Sequence, residues 1–288
     1  MESAYEWKQY YRAERARLGA ARLLEMVDVS PTLEPASGGA VVVPHTRIEL
    51  TGHQIASAVS TVLASGADRV LALGVLHGAR RIDHSRVTAA RAGDPDEVEG
   101  LRRVHDEVGL ASEEFSLDGF VEMLALAADR AGRRIDVVRR YPFLVGDDPA
   151  SLPGVDELER LMADGALLVA TTDPIHHGHA YGTPTDRCLD PDDPSTMAAA
   201  RSAIDDQLDA LSDHRFVDFA QLVERDRSDF RDTGPVLAHL VGTGFTSDLH
   251  DIALVDYSDP LDAPTPSWVA AALVSIRPAR FLEVGRIV

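Results

Sequence analysis

The chain has 288 residues, 45% of them hydrophobic, and a formal net charge of −19. That length suits one large α/β domain or two small ones, and the acidity argues against nucleic acid or an anionic membrane surface as partner, since both repel it. The single cysteine, Cys188, excludes an intrachain disulfide and a cysteine-cluster zinc site.

The opening stretch, "MESAYEWKQYYRAERARLG", is charged and lacks the apolar core of a signal peptide. No apolar run reaches the ~20 residues that a membrane span needs. The expectation is a soluble cytoplasmic protein with no membrane partner. Residues 2–27 carry helix formers and read as one or two helices. "DVSPTLEPASGG", 28–39, reads as a turn-rich linker. Residues 1–39 are therefore expected to form a helical segment and linker packed on a domain spanning 40–288.

Within that domain, strand signals recur at "AVVVPH" (40–45), "RVLALGV" (69–75), "RIDVVRRYPF" (134–143), "ALLVATT" (166–172) and "DIALVDYS" (251–258). "SWVAAALVSI" (267–276) reads as a final strand. Helical stretches lie between them: 52–66, 115–132, 155–165, 194–213 and 215–228. Strands alternating with helices predict a single α/β domain with a central mixed, largely parallel sheet flanked by helices.

Three of these strands end on histidine. "VVVPH" is a β-branched run of the kind buried on both sheet faces, ended by a proline with no N–H for the ladder; His45 follows. "RVLALGVLHG" reaches His77 just after its apolar run. "ALLVATTDPIHHGH" delivers Asp173, His176, His177 and His179 beyond Thr172. If the strands are parallel, these groups share one sheet edge, where ligands bind in open α/β folds. Taken singly, each histidine has an ordinary reading as a hydrogen-bonded loop residue; His53, His84, His105, His214, His239 and His250 are assigned that reading.

Neutral imidazoles are common metal ligands. Two histidines and a carboxylate leave coordination positions open, which suits non-haem Fe(II) with substrate and O2; zinc hydrolysis accepts a similar set. No Gly-rich phosphate loop, GxSxG elbow or HExxH helix appears.

The motifs, in order, resemble the Memo-like family, relatives of the class III extradiol dioxygenases. The likeness runs through "PHTRIELTG" (44–52), "LALGVLH" (71–77), "EFSLD" (114–118), "YPFLVG" (141–146), "TTDPIHHG" (171–178) and "LVDYSD" with the closing apolar strand. The resemblance implies that His45 and His77 bind a metal. It implies that His176 acts as acid/base or also reaches the metal, as a competitor for the third ligand position, and that Asp173 orients it. Where the family has Ala-Gly-Tyr, this chain has Thr46, Arg47 and Ile48. Arg47 can grip a substrate carboxylate bidentately or pair with Glu49. Ser116 and His177 are the other expected pocket residues, and Phe115 replaces a polar pocket histidine with an apolar wall. The family's ligand cysteine falls near "FRDTGPV", 230–236, on Arg231 without a gap and on Asp232 with a one-residue slip. Asp232 is the expected third ligand, with Asp229 as competitor; Cys188 lies far from the motif.

The expected function is that of an Fe(II)-dependent oxygenase acting with O2 on a small, chelating, acidic substrate, with Cu or Zn as alternative metals. A non-catalytic metal- or partner-binding protein is the second reading and a zinc-dependent hydrolase the third. The sequence gives no oligomeric state, although acidic α/β enzymes of this size often pair as homodimers.

Overall fold

A computed structural model describes residues 4–34, 38–77, 101–102, 114–143 and 145–279, the pair 101–102 by its backbone alone. His84, His105 and Leu144 of the "YPFLVG" stretch lie outside the described residues. The chain runs α1 (Ala4–Val29), β1 (Ala40–Val43), α2 (Ile48–Ser65), β2 (Arg69–Leu73), β3 (Leu101–Arg102), α3 (Asp118–Arg130) and β4 (Asp136–Pro142). It continues through α4 (Val155–Ala163), β5 (Leu167–Thr171), β6 (Ile175–Gly178), α5 (Pro194–Ser212), α6 (Phe216–Asp226) and α7 (Phe230–Val241). It closes with β7 (Thr246–Asp256), α8 (Ser258–Leu261) and β8 (Ser267–Arg277). Among the described residues, no helix is long and apolar enough to cross a membrane.

The strands form one mixed sheet in the order β3-β4-β2-β5-β1-β8-β6, with β7 on the other edge of β8. β4, β2, β5 and β1 are parallel neighbours. β8 runs against β1, β6 and β7. The valine run at β1 is buried throughout because both its faces are covered. Ala40 and Val42 pack towards α4–α7, and Val41 and Val43 towards α1–α3. The result is the helix–sheet–helix sandwich that the sequence pattern predicts.

Register explains how the strand ends meet. Val43 pairs with Thr171, and Leu73 with Ala170, so β1, β2 and β5 stop almost level. β1 pairs with Val274–Ile276 of β8 and β6 with Ser267–Ala270, so β6 continues the line of β1 along one edge of β8. His45 and Asp173 leave the sheet where these segments abut, and His176 lies on β6 beside them. The sequence reading differs from the structure here: "TTDPIHHG" contains strand β6, too short and polar to show a period, and "FRDTGPV" belongs to helix α7 despite Pro235.

α1 changes direction at Gly19, whose φ of 74° is open to glycine. Glu14, on its first half, caps α2 from outside: its carboxylate accepts the Ile48 N–H at 2.9 Å and faces the positive end of that helix. Tyr11 reaches the Tyr257 hydroxyl at 2.6 Å, and Tyr257 also hydrogen-bonds Thr46, beside His45. The N-terminal helix thus braces the β1–α2 turn.

Gly178 ends β6 with φ 106°, and a Cβ there would lie 2.0 Å from the Pro266 carbonyl oxygen. Gly178→Ala combines backbone strain with a clash against main chain, and is expected to cost about 3 kcal/mol or more. Urea unfolding measures this; an unchanged midpoint would show that the β6–β8 junction can relax.

Candidate metal centre

His45 follows Pro44 at the end of β1. Its N–H donates to Asp173 Oδ1 at 3.2 Å, and its Nδ1 hydrogen-bonds Thr171 Oγ1 at 3.1 Å. The Nε2 atom is left facing outward from the strand ends. His77 follows β2 and is held by Glu114, which accepts the His77 Nδ1–H at 2.9 Å and the His77 main-chain N–H at 2.6 Å. Glu114 also accepts the N–H groups of Phe115 and Ser116 at 2.7 and 2.9 Å. His176, on β6, donates Nδ1–H to the Arg227 carbonyl at 2.8 Å.

A carboxylate and a carbonyl only accept, so the Nδ1 atoms of His77 and His176 carry the proton. In the neutral ring each Nε2 then presents a lone pair. Holding a ligand histidine's tautomer through its distal nitrogen is how metal sites orient imidazoles.

These Nε2 atoms converge on Asp229, the residue that precedes α7. Asp229 Oδ2 lies 3.4 Å from His45 Nε2, 3.6 Å from His77 Nε2 and 3.5 Å from His176 Nε2. The two Nε2 atoms of His45 and His77 are 3.2 Å apart. Donors bound at ~2.1 Å to one cation sit about 3.0–3.4 Å apart in octahedral or tetrahedral geometry. The His45–His77–Asp229 triangle therefore fits a first-row cation. A second set, Asp173, His176 and Asp229, also keeps its donor atoms within 4.8 Å of one another.

The electrostatics follow from this packing. Burial pushes the Asp229 carboxyl up, but His176, His45 and His77 outweigh it and hold the group well below the usual carboxylate range. Burial pushes His77 down, yet Glu114 and Asp229 raise it to about 10. Burial raises Asp173, with His45 and His176 pulling it down and Asp229 pushing it up. Phe115 stacks on His77 with centroids 4.3 Å apart and forms the apolar wall expected of it. Tyr181 stands edge-on to His176 at 5.0 Å.

Several expected residues sit elsewhere. Asp232 belongs to neither donor set: one turn into α7, it accepts the Val145 N–H at 3.0 Å, while the Asp229 main-chain N–H is held by the Asp173 carbonyl at 3.2 Å. That main-chain contact aims Asp229, and not Asp232, at the strand ends. Arg47 turns towards α1, its Nε 3.8 Å from Glu14 Oε1 and its Nη2 3.6 Å from Glu49 Oε2. It thus meets the chain's own carboxylates. His177 projects from the opposite face of β6 to His176, as strand neighbours must. It accepts the Leu189 N–H at 2.9 Å and stacks on Trp268. Ser116 lines a small cavity with His45, Tyr11 and Phe115, but its hydroxyl donates to the Val75 carbonyl at 2.9 Å. Asp173 reaches the centre, 3.6 Å from His45 Nε2, yet the group that orients His176 is the Arg227 carbonyl. Among the histidines read as ordinary, His53 pairs with Asp251, His239 with Glu159 and His250 with Ser275.

Sequence reasoning passed over Glu114, although it heads the "EFSLD" stretch. Glu114→Gln keeps an acceptor for the His77 ring but loses the charge and the second acceptor oxygen, which takes the His77 main-chain N–H. It is expected to weaken cation binding about 10–100-fold, the usual effect of removing a ligand's supporting partner. Calorimetric titration with Zn2+ checks this; affinity within twofold of wild type would make Glu114 dispensable.

No protein-family model matches the chain, and no curated protein sequence matches it.

Proposed function

We propose that the protein is a non-haem metal-dependent oxygenase in which His45, His77 and Asp229 hold Fe(II) and a small chelating substrate reacts with O2. The observation that carries this reading is the two-histidine, one-carboxylate triangle with its imidazole tautomers fixed from behind. Such a set leaves several metal positions open for substrate and O2. When bound, Fe(II) would supply the one-electron chemistry that lets O2 react with an organic molecule. The chain's own residues do the rest. Thr171 and Glu114 keep the two imidazoles aimed, Phe115 shields His77 from water, and in a one-cation centre His176 would take a proton from the chelating substrate. With Arg47 engaged by Glu14 and Glu49, the reading no longer includes a guanidinium anchor for a substrate acid group.

The test is oxygen uptake by Fe(II)-reconstituted protein offered catechols, aminophenols and hydroxy acids. Substrate-dependent uptake, lost in His45→Ala, is the expected result. Iron retained without uptake across the panel would overturn it in favour of a binding protein. Turnover with Zn2+ that ignores oxygen would overturn it in favour of a hydrolase.

A further inference from the structure

We infer that the centre takes two cations, one on His45 and His77, the other on Asp173 and His176, with Asp229 shared between them. This rests on the metal-dependent reading above and deepens it. Asp229 belongs to both donor sets, and all donor atoms within each set lie within 4.8 Å of one another. Its Oδ2 is 3.4 Å and 3.6 Å from the first pair of imidazoles and 3.5 Å from His176 Nε2. A carboxylate between two donor sets is the usual bridge of two-metal sites, whose ions lie about 3.5–4 Å apart.

Two further observations favour the second position. The first is His176. Its Nδ1 is committed to the Arg227 carbonyl, so Nε2, 3.5 Å from Asp229 Oδ2, is the ring atom left to face the second position. The second is Asp173. Its Oδ1 takes the His45 N–H, and a ligand atom of its carboxylate lies within 4.8 Å of those of His176 and Asp229. Asp173 holds no hydrogen bond to His176 that would explain the approach of the two side chains as a simple dyad.

Charge counting agrees. With neutral imidazoles, Asp173, Asp229 and Glu114 bring three negative charges into buried surroundings. One divalent ion balances two of them. A second carries the site to net positive and creates a position for an anionic ligand, such as hydroxide or a deprotonated chelating substrate spanning both ions. His176 is then a ligand, and a substrate proton is lost through the acidity that two cations confer.

The experiment strips the full-length protein with chelator, reloads it with Mn2+ or Zn2+, and measures metal per chain by plasma emission and Mn2+ coupling by electron paramagnetic resonance. Wild type is expected to take two ions with exchange-coupled Mn2+. His176→Ala, its conservative companion His176→Gln, and His45→Ala are each expected to keep one uncoupled ion, with circular dichroism confirming the fold. Wild type saturating at one ion, with affinity unchanged in both His176 variants, overturns the second position and leaves the one-metal reading intact. Wild type that binds no ion overturns both.

Discussion

Asp229→Asn is expected to weaken divalent-cation binding about a thousandfold while leaving the fold in place. The substitution keeps the shape of the side chain, so the change measured is one of charge and donor character. The carboxylate lies 3.4–3.6 Å from the ligand nitrogens of His45, His77 and His176 and is held ionised by them. Removing one partner from a buried charged set costs about 3–5 kcal/mol, and each 1.4 kcal/mol is about tenfold in affinity. The asparagine amide can also donate its N–H to a bare Nε2 and occupy the lone pair that a metal needs. Asp232→Asn is the matched control. Its Oδ1 accepts the Val145 N–H, and an asparagine oxygen accepts the same bond, so affinity should stay within about twofold. Competition against a chromophoric chelator reads both variants. Equal loss in the two, or loss in Asp232→Asn alone, would return the third ligand to Asp232.

That pair of variants marks how far the sequence could be read. The strands were legible because "AVVV", "RVLAL" and "LLVAT" are β-branched or aliphatic runs, as strands covered on both faces must be. His45 and the Asp173–His176 pair are legible because Pro44 and the polar residues beyond Thr171 mark where those ladders stop; β2 stops at Leu73 although Val75 and Leu76 continue the apolar run to His77. The approach of His45 and His77 follows from β1, β5 and β2 being parallel neighbours, whereas His176 reaches them from β6, which runs against β8. The choice between Asp229 and Asp232 needs more than topology. Both flank the start of α7, and a main-chain bond from Asp229 to the distant Asp173 carbonyl decides which one turns inward. His176 and His177 part company through β6, where alternation assigns one ring to each face. For Arg47 the Glu49 partner is legible from the local sequence, whereas Glu14 sits on the N-terminal helix, and nothing local couples α1 to the β1–α2 turn. Glu114 was missed for the same reason: its value lies in gathering N–H groups from its own loop and from His77, a contact made only in three dimensions.

Cation affinity is expected to rise with pH about tenfold per unit between about pH 6 and 8, with a proton released from His77 for each cation bound there. Burial alone would keep His77 neutral, but Glu114 at Nδ1 and Asp229 at Nε2 raise its pKa to about 10 in the cation-free protein. The ring is therefore protonated at neutral pH, and a metal must displace the Nε2 proton to bind. Linkage fixes the sign for stability as well. A histidine whose folded pKa exceeds its unfolded value of about 6.5 contributes stability in full below that value, and the contribution fades as pH rises through the folded pKa. The cation-free protein should thus lose stability from neutral towards alkaline pH, while the metal-loaded form gains from tighter binding. The gap between their melting temperatures should widen from pH 7 to 9. Glu114→Gln removes the larger of the two raising charges, lowers the His77 pKa and flattens both trends. Calorimetry in buffers of different ionisation enthalpy counts the protons released. A pH-independent affinity with no proton release would mean that His77 meets the cation already neutral, and that Glu114 and Asp229 do not act on it as an anionic pair.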